Sequence, residues 1–173
     1  MLEGRYIKFE YVKEDDAEFI LNLRTNAKLS RFISKTEKDI KKQIEWIKEY
    51  KQREKEGKEH YFIIKNKSSG EKEGTVRVYN MRNDICEWGS WILKSNNPLI
   101  AIDSIILIYK FIFSQLEFEK VTFDVIKENK EVIMFHKSYG AEKIGEDQKS
   151  IYFLFKKNKF INLEKKYGRL LND

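Results

Sequence analysis

The sequence predicts a mixed α/β fold: an α+β arrangement with a central, mostly antiparallel sheet and helices on both faces. Three observations predict it. From Ile85 to Gly145 the chain reads strand, turn, helix, strand, helix with short connections, for which a right-handed βαβ crossover is the default. Ahead of that stretch, three consecutive strand-like runs joined by polar turns make an antiparallel meander. Two segments with apolar residues at helical spacing precede the meander.

Taken in order, Tyr6–Val12 alternates as a strand does. Lys13-Glu-Asp-Asp16 puts acids where a helix N-terminus favours them, and Ala17, Ile20, Leu21 and Leu23 continue at helical spacing. Thr25–Ser34 reads as a loop. A second helix is expected from about Glu37, capped by Thr36, with an apolar stripe of Ile40, Ile44, Ile47 and Tyr50. The meander strands are His60–Lys65, Glu73–Tyr79 and Ile85–Leu93, with turns at 66–72 and 80–84. Ile100 to Phe113 is apolar on most sides and predicts a helix buried between layers. Val121, Phe123 and Val125 alternate in the next strand. Val132, Ile133 and Phe135 mark one face of a helix that Gly140 closes at the C′ position. Ile151–Phe155 is a last apolar strand, and Phe160–Leu171 a charged tail with helical character. The expected order is β-α-α-β-β-β-α-β-α-β-β.

The 173 residues suit one domain, spanning residues 1–173, with a sizeable core. No apolar run of membrane-crossing length stands out, and the N-terminus lacks the basic-then-apolar order of a signal peptide. Cys86 is alone, which excludes an internal disulfide and suits a reducing, cytoplasmic setting. With only Cys86, His60 and His136 as soft ligands, no metal-binding spacing appears. The net charge of +6 favours an anionic ligand, but no basic face interleaved with stacking aromatics points to nucleic acid. The helix after Leu93 begins just past the carboxyl end of a strand, where outward-facing N–H groups make an anion site, usually for phosphate.

Three short motifs in order resemble those of the GNAT superfamily of acetyl-CoA-dependent N-acetyltransferases, over nearly the whole chain. Glu73-Gly-Thr-Val-Arg-Val is like the third-strand pattern of that family. Glu87-Trp-Gly-Ser-Trp-Ile-Leu93 is similar to its fourth strand. Asn129 to Gly140 resembles its Asn helix, with His136 where an aromatic acid residue usually stands. The nearest likeness is to the branch of ribosomal-protein N-terminal acetyltransferases and nucleotide amino-sugar acetyltransferases. One departure concerns the Gly-rich acetyl-CoA loop. Here it reads Asn96-Asn-Pro-Leu-Ile-Ala101, with Leu99 at the first Gly position. A side chain there makes close backbone approach to a pyrophosphate harder.

The resemblance implies acetyl transfer from acetyl-CoA, without a metal, to a primary amine. It implies Glu87 as general base and His136 as the acid that protonates the departing thiolate, with Tyr139 the alternative acid. The implied acetyl-CoA contacts are Trp91, Ile92 and Leu93 on the fourth strand; Ser95, Asn96, Asn97, Leu99, Ile100 and Ala101 at the turn; and Asn129 and His136 on the later helix. Arg24, Arg31, Phe32, Tyr79 and Trp88 are the candidates for the acceptor pocket. The favoured acceptor is a nucleotide-linked amino sugar of surface-polysaccharide biosynthesis. A protein N-terminus is the alternative, and a non-catalytic CoA-binding or interaction module a further one. The partner is then a small molecule, not nucleic acid or membrane, and the protein a monomer or homodimer.

Overall fold

The computed structural model describes residues 2–171. One eight-stranded sheet runs in the order β1-β2-β3-β4-β5-β6-β8-β7. The strands are β1 (Leu2–Glu3), β2 (Ile7–Tyr11), β3 (His60–Asn66), β4 (Lys72–Arg82), β5 (Ile85–Leu93), β6 (Lys120–Ile126), β7 (Glu142–Glu146) and β8 (Ser150–Lys156). Every neighbouring pair is antiparallel except β5–β6. That pair is the predicted crossover, joined through α3 (Pro98–Lys110) and a π-helical turn at Phe111–Gln115.

The remaining helices are α1 (Ala17–Thr25), α2 (Ile40–Lys55), α4 (Lys130–Ser138) and α5 (Phe160–Tyr167). Strand β3 shows the layering: Tyr61 and Ile63 pack with Ala17 and Ile20 of α1 and Ile47 and Tyr50 of α2, whereas Phe62 and Ile64 join the larger core with α3, α4 and α5. Alternate side chains of a strand face opposite sides, so both faces of this strand are buried. Helices α1 and α2 cover only the β2–β4 half of their face. Over β5, β6 and β8 that face keeps half-buried Glu87, exposed Asp124 and exposed Tyr152.

Several elements depart from expectation. Helix α2 starts at Ile40, because Asp39 rather than Thr36 caps it: its carboxylate accepts from the backbone N–H groups of Lys41 (2.9 Å) and Lys42 (3.2 Å). Ile40 is consequently exposed, and the buried stripe is Gln43, Ile47 and Tyr50. Strand β4 continues to Arg82 through a register shift, so the following turn is only Asn83-Asp84. One short element, β1, was missed, and the helical character expected of Phe160–Leu171 is realised as α5 followed by a 3-10 turn at Gly168–Leu171.

The α3 segment Pro98–Gln115 is long and apolar enough to cross a membrane by length and composition, contrary to the sequence reading. Its apolarity has another cause here: Ile105, Ile108, Ile112 and Phe113 lie in the core. Its lone acid, Asp103, is 2% exposed and accepts from the N–H groups of Arg5 (3.1 Å), Tyr6 (2.7 Å) and Ile7 (3.1 Å). That carboxylate fastens the start of β2 to α3. Gly140 sits at C′ of α4 with φ +106°. Its N–H reaches the Lys137 carbonyl, and the next N–H reaches that of His136, forming a Schellman cap.

Candidate active site

Strands β5 and β6 pair only from Ile85↔Lys120 to Glu87↔Thr122. Beyond Glu87 they part, and the gap is a cleft of about 600 Å³. Its walls come from Trp88–Trp91 of β5, Phe123–Ile126 of β6, Asn129, Val132 and His136 on the α4 side, and Arg24 and Phe32–Lys35 from α1 and its loop. A bulge shapes the β5 wall. Ser90 and Trp91 stand opposite the single Val76, Ser90 takes φ +50°, and its carbonyl accepts from the Thr75 hydroxyl (2.8 Å). After the bulge the Lys94 N–H bonds the Glu73 carbonyl on β4. Alternation then turns the N–H groups of Leu93 and Trp91 toward the edge that β6 has left.

Glu87 occupies the apex where the strands part. Its carboxylate accepts from the Tyr79 hydroxyl (3.0 Å) and the Asn80 amide (2.9 Å). Tyr79 is on the cleft wall and Glu87 one hydrogen bond behind it. Gly89 makes this possible, since a Cβ there would stand 2.8 Å from the Tyr79 hydroxyl. Burial, then the nearby charge of Glu87, raise the pKa of Tyr79, which keeps its proton and donates.

His136 forms the cleft floor and is 1% exposed. Rings of Trp88, Phe123, Phe135 and Phe153 surround it. Burial lowers its pKa to about 3, so the imidazole is neutral at ordinary pH. Of the two forms open to a histidine here, a neutral N–H donor and an imidazolium acid, burial of His136 favours the neutral one. Its Nδ1 bonds the Tyr139 hydroxyl, which is 3.1 Å from that of Tyr109. If Nδ1 carried the proton, Tyr139 would have to donate to Tyr109, whose own proton then has no acceptor in this chain of groups. The arrangement that satisfies all three runs Tyr109→Tyr139→Nδ1 and leaves the proton on Nε2. Tyr139, the alternative acid, is 2% exposed, packs on Phe155 and is not on the cleft wall. Burial, then Tyr109, raise its pKa well above the ordinary value. It lies behind His136, away from the cleft.

The turn before α3 also differs from expectation. Asn97 is the N-cap, with Pro98 at N1 and its side chain accepting from the Leu99 N–H (2.9 Å). The Asn97 N–H goes to Ser95 Oγ (3.1 Å), and those of Ile100 and Ala101 to the Asn97 carbonyl. The N–H groups of Asn97, Leu99, Ile100 and Ala101 are therefore engaged within the turn, leaving to a pyrophosphate the backbone of Ser95 and Asn96, the helix dipole and the exposed Lys94. Leu99 lies in an ordinary first helical turn, so the missing Gly causes no backbone strain. The side chains of Ile100 and Ile92 are buried, so only their backbones can meet a ligand. Trp91 is on the cleft wall and donates to Ser104 Oγ (3.0 Å). Asn129 stands at the N-cap of α4 without a capping side-chain bond, which leaves its amide for the cleft.

Of the acceptor candidates, Arg24, Phe32, Tyr79 and Trp88 reach the cleft. Arg31 is exposed, stacks on Phe32 at 5.0 Å and is not on the wall. The sequence reading missed Asp124, Val132, Ser90 and Lys149, all on the wall. Asp124 was detectable as the one charge in the alternating run 121–125.

The cleft has what an acyl-CoA arm needs: an open strand edge, an uncommitted amide and an apolar floor bearing one N–H donor. Residues 7–142 match the sequence profile of the acetyltransferase (GNAT) domain. The chain belongs to the GNAT acetyltransferase family. It is thus an acetyl-CoA-dependent N-acetyltransferase. The apo structure of FdhC, described as a nucleotide-linked sugar GNAT, superposes with a TM-score of 0.88 at 43% identity, covering 98% of this chain and 97% of that one. A spermidine N-acetyltransferase from Vibrio cholerae in complex with CoA and spermine superposes at 0.77 with 16% identity, over 90% and 98% of the chains. A ribosomal-protein-S5-alanine acetyltransferase from Vibrio fischeri also gives 0.77 at 16%, over 91% and 97%. The last two share the fold. Searching curated protein sequences gives no significant match.

Proposed function

We propose that this GNAT enzyme acetylates the primary amine of a nucleotide-linked amino sugar. The carrying observation is the 43% identity to a nucleotide-linked sugar GNAT over 98% of the chain. Acetyl-CoA supplies an acetyl group activated as a thioester. The free edge of β5 at Trp91 and Leu93 and the Asn129 amide hold its arm, and the edge N–H groups are the donors that stabilise negative charge on an acyl oxygen. Glu87, oriented by Tyr79 and Asn80, takes the proton that the amine must lose. Neutral His136 offers Nε2–H to the sulfur as a hydrogen-bond donor. Juxtaposing both reactants in one cleft supplies much of the acceleration.

The test is an acceptor panel. Purified protein with acetyl-CoA is given nucleotide-linked amino sugars, spermidine, and a peptide with a free N-terminus, and products are read by mass spectrometry. Acetylation of a nucleotide-linked amino sugar in preference to the others is expected. Turnover of spermidine or the peptide alone would overturn the assignment.

A further inference from the structure

A second cavity, of about 470 Å³, adjoins the cleft on the α1–α2 side of the sheet. The two share Arg24, Ser34, Tyr79 and Ser90. Its wall carries a second guanidinium, that of Arg77, which lies within the third-strand motif but was not among the candidate site residues. Arg77 is sandwiched between aromatic faces, 4.6 Å from the Tyr79 ring centre and 5.1 Å from that of Trp46. Its Nη2 lies 2.8 Å from Glu59, and its Nε is buried without a partner.

Charge bookkeeping decides what this cavity attracts. Glu59 also pairs with Arg53 (3.2 Å), so one carboxylate serves two guanidiniums and one positive charge remains. That charge is spread over Arg53 and Arg77, and of the two only Arg77 is on the cavity wall. Arg24 is held by neutral acceptors: Thr36 Oγ1 (2.6 Å), Ser34 Oγ (2.9 Å) and the Ser34 carbonyl. Among the described residues it makes no ion pair. The acids on the wall, Glu37 and Asp39, are committed to Lys42 and to the start of α2. The two arginines line the same cavity, with the buried Tyr61 also on its wall. Both are therefore pre-positioned on one cavity: Arg24 has no acidic partner among the described residues, and Arg77 shares Glu59 with Arg53.

We propose that Arg24 and Arg77 clamp the diphosphate of the nucleotide-linked acceptor, with the amino sugar passing along the shared wall at Tyr79 and Ser90 toward Glu87. A guanidinium is planar, stays charged and matches phosphate oxygens with paired N–H donors. Fixing it in advance by stacking and hydroxyl bonds reduces the entropy lost on binding. The same charge repels a polyammonium acceptor, so the clamp also selects the substrate class. The inference rests on the proposed function.

The experiment uses the full chain and UDP, dTDP and CDP as probes, with the matching nucleosides as controls. Calorimetry should show at least one diphosphate bound more tightly than its nucleoside. Arg24→Met and Arg77→Met should each weaken that binding at least tenfold, and Arg77→Lys should recover part of it. The acetyl-CoA Kd should stay put. Arg24 has no role in the core, so its variant decides the matter even where Arg77→Met folds poorly. Equal binding of diphosphate and nucleoside, or unchanged binding in Arg24→Met, overturns the clamp. If the wild type acetylates a nucleotide-linked amino sugar and its KM is unmoved in Arg24→Met, the clamp fails and the acceptor class stands. If the wild type uses only spermidine and binds none of the diphosphates, both fail.

Discussion

The neutrality of His136 has a measurable consequence. Burial lowers its pKa from 6.5 to about 3 in the folded chain, whereas the unfolded chain keeps the ordinary value. A depressed folded pKa means that the stabilising contribution is complete above about pH 6.5 and is lost as pH falls toward 3, because the unfolded state takes up the proton first. Each pH unit below 6.5 then costs about 1.4 kcal/mol from this one group, or about 2 kcal/mol at pH 5. The chain has two histidines, His60 and His136, so a proton NMR titration resolves both. His136 should show no titration between pH 8 and 4.5 while the fold persists. Urea unfolding over the same range should show the loss of stability, and His136→Phe should flatten that part of the curve. The pH–rate profile should have no limb belonging to His136 between pH 6 and 8. A His136 midpoint near 6.5 would refute the reasoning and restore an imidazolium acid.

Asp103→Ala leaves three backbone N–H groups without their acceptor. It should lower the unfolding free energy by about 3–6 kcal/mol, since each stranded donor costs about 1–3 and part of the site can take up water. Chemical denaturation measures this, and a loss under about 1 kcal/mol would mean the latch is idle. Gly89→Ala pushes on the Tyr79 hydroxyl and should lower kcat with little change in Tm; an unchanged kcat would show that Tyr79 does not orient Glu87. Gly74→Ala drives a Cβ into the Ile92 carbonyl across the β4–β5 pair and should lower Tm by several degrees, read by calorimetry.

The order of elements was legible because each carried its own period: alternation in Val121–Val125, helical spacing in Ile100–Phe113, a C′ glycine at Gly140. The start of α2 was misplaced because Thr36 and Asp39 are both good caps, and only the chain's path brings Asp39 Oδ1 onto the Lys41 and Lys42 N–H groups. Glu87, His136 and Asn129 were implied by the resemblance of their motifs to the GNAT family, and the structure gathers them around one cleft or its apex. Their states were not legible. The pKa of His136 depends on rings from β5, β6, α4 and β8 that meet only in the folded chain. Arg77 escaped notice for a related reason: Trp46 and Glu59 come from elsewhere in the chain, and Tyr79, two residues on in the same strand, does not by itself signal a stacked guanidinium. The turn before α3 differs in the other direction, because a Pro beside an Asn cap closes on the N–H groups of Asn97 to Ala101, leaving only those of Ser95 and Asn96 to present.

The proposed catalysis turns on Glu87 taking the amine proton at the apex of the cleft. The measurement is kcat of Glu87→Gln at saturating acetyl-CoA and acceptor, alongside the acetyl-CoA Kd by calorimetry. The amide keeps the shape and its contact with Tyr79 but accepts no proton. A fall in kcat of about 10²-fold or more with an unchanged Kd is predicted, the usual scale for a lost general base. Wild-type kcat with an unmoved pH profile would contradict the account.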